Sequence, residues 1–301
     1  MKNIHQRAVI LMEALPYIKS YHGKTIVIKY GGGAMISAEL KEKIASDIVL
    51  MKLVGIRPII IHGGGPEITS FMKRLDLEVE FMDGLRKTTA ETMDIVKMVL
   101  VGKVNKELVS LINRHGRMAI GLSGDDGNLL VARKKVHKPD LGFVGEIEQI
   151  NSEILEDLLD DGYIPIIASI GAGENGESYN INADTVAAEV AAEVGADKII
   201  FLTDVEGLYR DYGQEHTLIS SLDYDECATM VVSGELGGGM LPKIQGCLRA
   251  LEAGVGRAHI LNGTTPHSML LEIFTNEGVG TMIHPVGENS IDVDLSIKVD
   301  I

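Results

Sequence analysis

Short runs of consecutive apolar residues recur along the chain, and none alternates with polar positions as a half-buried strand would. The clearest are TIVIKY (25–30), PIIIHGG (58–64), MAIGLSG (118–124), IPIIASI (164–170), KIIFLTD (198–204) and RAHILNG (257–263). Each is rich in Ile or Val, which suits a strand covered on both faces. Longer stretches of helical spacing lie between them, over roughly 37–55, 88–115, 183–195 and 241–254. Alternating β and α segments predict an open, mostly parallel sheet with helices on both sides. Two further segments, LEVEFMDGLRKTT (77–89) and GNLLVARKKV (127–136), predict hairpin arms with Gly or Asp turns. No linker, repeat or low-complexity run separates independent domains. A change in motif character near 176–182 places a boundary between two lobes of one sheet close to residue 180.

The stretch before the first strand, IHQRAVILMEALPYIKSYHG, predicts a leading helix. Ile4, Ala8, Leu11, Met12 and Leu15 trace an apolar stripe at helical spacing, and Pro16 is expected to kink it. Such a stripe needs cover, either from its own domain or from a neighbouring subunit. As a signal peptide it fails, because Arg7 and Glu13 bracket only a short apolar run and no small-residue cleavage site follows. No other stretch approaches the ~18 uncharged apolar residues of a membrane span, so a cytoplasmic protein is expected.

Composition narrows the ligand class. With 28 Lys and Arg against 43 Asp and Glu, the formal charge is -15. An acidic surface repels a phosphate backbone, which argues against nucleic-acid binding. Any small anion must therefore be held by a few focused cations and backbone N–H groups. The only cysteines, Cys227 and Cys247, fall in helical stretches and make no disulfide framework, which fits a reducing compartment.

Glycine loops show where such an anion would sit. HGKT (22–25) fails the phosphate-loop spacing and precedes a strand instead of following one. GAGENG (171–176) matches the dinucleotide pattern, yet ESYNIN follows it and starts no helix. KYGGGAM (29–35) and HGGGPEI (62–68) do follow strands and precede helices, so their free N–H groups fall at the carboxyl edge of the sheet. Lys29 ends a buried strand, a costly place for a cation with no anionic partner. YNINADTVA (179–187) puts Asn180, Asn182 and Asp184 at a helix start, where any of them could be an ordinary cap. FLTDVEGLY (201–209), GELGGGMLPKI (234–244) and DGLRKTT (83–89) add Thr203, Asp204, Lys243 and Arg86. Phosphoryl transfer needs this kind of set, since its catalysis is positioning plus stabilisation of spread negative charge. No serine–histidine triad or HExxH motif competes. Asp125 and Asp126 fit a hairpin turn, and His62 fits a support for its glycine loop.

These motifs, with GLSGDDG (121–127), occur in the order found in N-acetyl-L-glutamate kinases of the amino acid kinase family, which the chain resembles over roughly residues 25–285. The resemblance implies a three-layer αβα sandwich around a largely parallel sheet. It implies an N-lobe (25–180) for the acyl amino acid and dimerisation, and a C-lobe (181–301) for ATP with Mg2+. The reaction implied is transfer of the γ-phosphoryl group to the side-chain carboxylate of N-acetyl-L-glutamate, in arginine biosynthesis. By motif position Lys29 and Lys243 stabilise the transition state and Asp184 orients them. Gly64, Gly65, Arg86 and Asn180 hold the substrate, and Gly31 and Gly32 face the phosphoryl group. Thr203, Asp204, Gly207, Tyr209, Gly238 and Gly239 surround the nucleotide. The leading segment (1–24) resembles that of arginine-inhibited hexamers, a homo-oligomeric type built as a trimer of dimers. It implies an arginine site on Tyr17, Lys198, His267 and Glu277. Other carboxylate kinases of the family, or a silent arginine or nucleotide sensor on the same fold, remain as alternatives.

Overall fold

The computed structural model describes residues 9, 11–35, 37–211, 214–234, 236, 239–275 and 278–287. The chain opens with α1 (Leu15–Tyr21), β1 (Thr25–Tyr30), α2 (Ala38–Leu53), β2 (Arg57–His62) and α3 (Gly65–Arg74). The hairpin of β3 (Phe81–Met82) and β4 (Leu85–Arg86) leads into α4 (Ala90–Lys97), a π-helical segment (Met98–Asn105) and α5 (Lys106–Asn113). Then come β5 (Ala119–Ser123), β6 (Leu130–Lys134), β7 (Gly145–Ile150), α6 (Glu153–Asp160), β8 (Ile164–Ala168), β9 (Ile170–Ala172) and β10 (Ser178–Asn180). The second half holds α7 (Ala183–Glu193), β11 (Lys198–Thr203), β12 (Leu208–Tyr209), β13 (Leu218–Ile219) and β14 (Ser221–Asp223). It ends with α8 (Tyr224–Ser233), α9 (Met240–Glu252), β15 (Arg257–Asn262), α10 (Ser268–Phe274) and β16 (Thr281–His284).

The main sheet has eight strands in the order β14-β16-β15-β11-β1-β2-β8-β5. Every pairing in it is parallel except β15 with β16. Strands from before residue 180 fill one half and later strands the other, meeting where β1 pairs with β11. Side chains alternate between two buried clusters, Ile26, Ile28 and Ile60 on one face and Val27, Ile59 and Ile61 on the other. The first face is covered by helices carrying Ile48, Val96 and Leu108, the second by helices carrying Leu155, Val190 and Ala250. This is the expected three-layer arrangement, and it explains why the strands lack polar alternation. Burying each isoleucine fully contributes about 2 kcal/mol.

The strand runs end within two residues of expectation, but the structure differs elsewhere. The stretch expected as one helix over 88–115 is interrupted by the π-helical turns of 98–105. Helix α3 follows HGGGPEI and α8 holds Cys227, both as expected, whereas α6 and α10 lie outside the stretches read as helical. The segment 127–136 supplies β6, which joins β7, β9 and β10 in a separate four-stranded sheet. At the N-terminus the helix breaks at Ala14, and Pro16 falls in the first turn of α1, where its missing N–H costs nothing. Tyr17 and Tyr21 pack into the first core, while Leu11, Met12 and Leu15 are exposed. Ile4 and Ala8 lie outside the described residues. No described helix is long and apolar enough to cross a membrane.

Candidate active site

Strands β1, β2 and β11 run in parallel, so the loops that follow them emerge at one edge of the sheet. Lys29, near the end of β1, is only 8% exposed. Its Nζ lies 3.0 Å from Asp184 Oδ1, and Asp184 Oδ2 accepts from Lys243 Nζ at 3.3 Å. One buried carboxylate therefore bridges two lysines brought from β1 and α9. Asp184 is free to do so because Asn182 is the helix cap. The Asn182 Oδ1 accepts from the backbone N–H groups of Asp184 at 2.8 Å and Thr185 at 3.1 Å. Burial pulls Lys29 below the ordinary lysine range, opposed by Asp184 and reinforced by Lys243. Burial also pushes Asp184 up, but the two lysines outweigh it and hold the carboxyl below its usual value. The lowered Asp184 carboxyl favours the anion between the two lysines.

A cleft of about 210 Å³ lies on one side of this bridge. Lys29, Gly31, Gly32, Gly64, Gly65, Arg86, Asn180 and Asp184 all line it, with Ile68, Leu100, Val144 and Ile181 as apolar walls. Gly64 has no room for a side chain, since a Cβ there would sit 2.6 Å from Leu100 Cδ2. Gly32 adopts φ +63°, which favours glycine. Arg86 is buried, and its Nη2 donates to Gly65 O at 3.0 Å and Thr69 Oγ1 at 2.7 Å. The Phe81 ring covers its guanidinium at 4.6 Å. Thr88 Oγ1 donates to Arg86 O at 2.9 Å and accepts from Asn180 Nδ2 at 3.2 Å, so Arg86 and Asn180 are tied together. A fixed guanidinium and amide beside apolar walls suit a carboxylate with an uncharged acyl group attached.

A second cleft, about 540 Å³, opens on the far side of the bridge. Thr203, Asp204, Gly207, Tyr209, Gly239 and Lys243 line it, together with Val205, Leu208, Leu236 and Met240. Its size and mixed lining accept a nucleotide. Gly238 lies outside the described residues. Lys29 and Asp184 line the first cleft and Lys243 the second, so the bridge through Asp184 links the linings of the two.

The proposed arginine set is only partly brought together. Lys198 is buried at the opposite edge of the sheet, over the Tyr21 ring at 5.1 Å. Its Nζ donates to His259 Nε2 at 3.2 Å, and His259 Nδ1 donates to Glu272 Oε1 at 2.7 Å. Burial and then Arg257 pull Lys198 down to about 7. Tyr17 lies on the same helix as Tyr21. His267 does not join them: it follows the carboxyl end of β15 and pairs with buried Asp47 at 2.6 Å. Glu277 lies outside the described residues. His259 and Glu272, which the sequence reading did not single out, are the residues that the structure places beside Lys198. Thr69, Thr88, Phe81 and Leu100 were also missed, because nothing in single polar or apolar residues marks a lining role. Asp126 accepts from Ser123 N at 2.7 Å, the local turn role expected for it, and Asp125 accepts from Ser178 Oγ at 3.0 Å.

An open α/β sheet whose edge carries a basic, glycine-lined cleft beside a nucleotide-sized one is the layout of a kinase. The model of the amino acid kinase family matches residues 24–262, and the chain belongs to that family. Acetylglutamate kinase of Caldanaerobacter subterraneus subsp. tengcongensis is 52% identical over 288 residues, covering 96% of this chain and 95% of that protein. The acetylglutamate kinase of Caldicellulosiruptor saccharolyticus is 54% identical over 289 residues, covering 94% and 98%. Among solved structures, N-acetylglutamate synthase from Neisseria gonorrhoeae, complexed with coenzyme A and N-acetyl-glutamate, superposes with a TM-score of 0.83 at 27% identity. That match covers 94% of this chain and 64% of the synthase. Carbamate kinase from Giardia lamblia bound to AMP-PNP, at 17% identity and a TM-score of 0.64, shares the fold, covering 87% of this chain and 99% of that one.

Proposed function

We propose that the chain transfers the γ-phosphoryl group of ATP to the side-chain carboxylate of N-acetyl-L-glutamate, giving N-acetyl-L-glutamyl 5-phosphate for arginine biosynthesis. The observation that carries this reading is the Lys29–Asp184–Lys243 bridge, with Lys29 and Asp184 lining one cleft and Lys243 the other. Relatives more than 50% identical over nearly the whole chain bear the matching name.

A carboxylate oxygen attacks the γ-phosphorus while the bond to the β–γ bridging oxygen breaks, and ADP leaves. The carboxylate is already ionised at neutral pH, so no general base is needed. Lys29 and Lys243 stabilise the charge spread over the moving oxygens, and Asp184 holds both ammonium groups in place. Gly31 and Gly32 turn backbone toward the phosphoryl group. Arg86 and Asn180 bind the α-carboxylate end, and the amides of Gly64 and Gly65 bind the reacting end. Mg2+ would arrive on the ATP phosphates. When bound, that ion neutralises charge on the β- and γ-oxygens. Residues 25–180 serve the acceptor and the dimer contact, and 181–301 serve the nucleotide.

Regulation is a further part of the proposal. Arginine would bind beside α1, with Tyr17, Lys198, His267 and Glu277 as the expected contacts. The exposed Leu11, Met12 and Leu15 stripe supports a homo-oligomer linked through the leading segment, a hexamer of three dimers. The acceptor reading is tested by ATP turnover with N-acetyl-L-glutamate, aspartate, glutamate and carbamate in parallel. Turnover confined to N-acetyl-L-glutamate supports it, and a preference for another acceptor overturns it.

A further inference from the structure

His62 is fully buried at the end of β2 and is not among the residues lining the substrate cleft. Its Nδ1 lies 3.0 Å from the carbonyl oxygen of Gly63, and its Nε2 lies 3.1 Å from Asn105 Nδ2. Asn105 is itself fully buried, at the last residue of the π-helical segment, and Nδ2 also donates to Ile166 O at 2.8 Å. Since an amide NH2 can only donate, Nε2 of His62 must accept and Nδ1 must carry the proton. Burial keeps the ring neutral by pushing its pKa down to about 4, in agreement with that tautomer. The Gly63 carbonyl is therefore held by an N–H donor on the core side.

A trans peptide is planar, with its C=O and the next N–H pointing in opposite directions. Pinning the Gly63 carbonyl to His62 fixes the Gly64 N–H on the opposite side of that peptide, and Gly63, Gly64 and Gly65 all line the cleft. Nothing in the loop itself selects that orientation, because flanking glycines cross the φ/ψ map with little steric cost. A flipped peptide would aim a carbonyl oxygen at an incoming carboxylate. The same π-helical segment presses Leu100 and Val104 against Gly64, so it backs the loop from two directions.

We propose that His62, with its tautomer set by Asn105, is a positioning residue that holds the Gly63–Gly64 peptide in the donor-facing state needed to bind the reacting carboxylate. This rests on the assignment of the first cleft to the acyl amino acid. Two substitutions separate the ring's two nitrogens. His62→Asn leaves an amide N–H near the Nδ1 position, able to donate to Gly63 O. His62→Gln reaches the Nε2 position and keeps the Asn105 contact, but leaves Gly63 O without its donor. His62→Gln should lower kcat/KM for N-acetyl-L-glutamate about a hundredfold, the usual cost of one lost oxyanion donor, with ATP affinity within about threefold of wild type. His62→Asn should stay within about tenfold of wild type, even if its melting temperature falls further. Equal activity in His62→Gln and wild type, or losses in both variants that follow their melting temperatures, would overturn the proposal. If neither variant folds, the wild-type crystal structure with N-acetyl-L-glutamate decides. The Gly64 N–H should face the ligand with Gly63 O on His62, and a carbonyl in the cleft would overturn the idea. Wild type that does not phosphorylate N-acetyl-L-glutamate at all points to the substrate assignment instead, and the peptide orientation is still read from that crystal structure.

Discussion

Lys29 and Lys243 pay for their burial through one shared anion, so each is held in a fixed place before any substrate arrives. In the proposed reaction, removing either takes away a donor to the developing charge. Lys29→Ala and Lys243→Ala should each lower kcat by on the order of a hundredfold or more, with a smaller effect on the KM for N-acetyl-L-glutamate. Steady-state kinetics checks this, and near-normal turnover in either variant removes that lysine from the reaction. Arg86 makes a different claim. Its fork is oriented by Gly65 O and Thr69 Oγ1 under the Phe81 ring, and a single ammonium cannot reproduce two parallel bonds to a carboxylate. Arg86→Lys should raise the KM for N-acetyl-L-glutamate about tenfold or more while ATP binding barely moves. Calorimetric titration of each ligand separates the two, and a loss confined to ATP would reverse the cleft assignment.

Among the elements, α1 and the segment before it carry the least expected arrangement. Tyr17 and Tyr21 bury inward while Leu11, Met12 and Leu15 face out, so the segment satisfies its own core and still offers apolar surface. Deleting residues 1–20 should leave an active dimer with little arginine inhibition. Light scattering with an arginine titration measures both properties, and a truncated protein that remains hexameric and arginine-sensitive refutes the linkage. The elements also show what a sequence exposes and what it hides. Continuous Ile and Val runs marked β1, β2, β8, β11 and β15 because both faces of those strands are buried. The glycine loops and Lys29 were legible for a related reason: a cation and bare backbone at a strand end violate ordinary packing preferences. Asp184 was visible as polar, but its freedom from capping depended on Asn182 taking that duty, a choice only geometry settles. The π-helical turns over 98–105 left no trace, since their residues suit an α-helix equally well. The Lys198–His259–Glu272 chain was not legible, because a histidine inside an apolar strand carries no local sign of its partners.

At the scale of the whole molecule, two buried neutral histidines couple stability to acid. His62 and His259 are both pushed down to about 4 from an ordinary value of 6.5, chiefly by burial. Between those values the unfolded chain binds protons that the folded chain refuses, so the histidines' contribution to stability is full above about pH 6.5 and is lost as the pH drops toward 4. Urea midpoints from pH 7 to pH 4.5 should decline, and His259→Gln should flatten the decline because one of the two groups no longer titrates. Parallel slopes for the variant and wild type would show that His259 does not contribute.

The central claim is that the joined clefts carry a phosphoryl group from ATP to the N-acetyl-L-glutamate side chain. An acyl phosphate is trapped by hydroxylamine as a hydroxamate, so product identity can be read apart from ATP loss. With MgATP and N-acetyl-L-glutamate, ADP and hydroxamate should form in equal amounts, and both should fall together in Lys29→Ala. ADP release without hydroxamate, or no N-acetyl-L-glutamate-dependent turnover, would contradict the account.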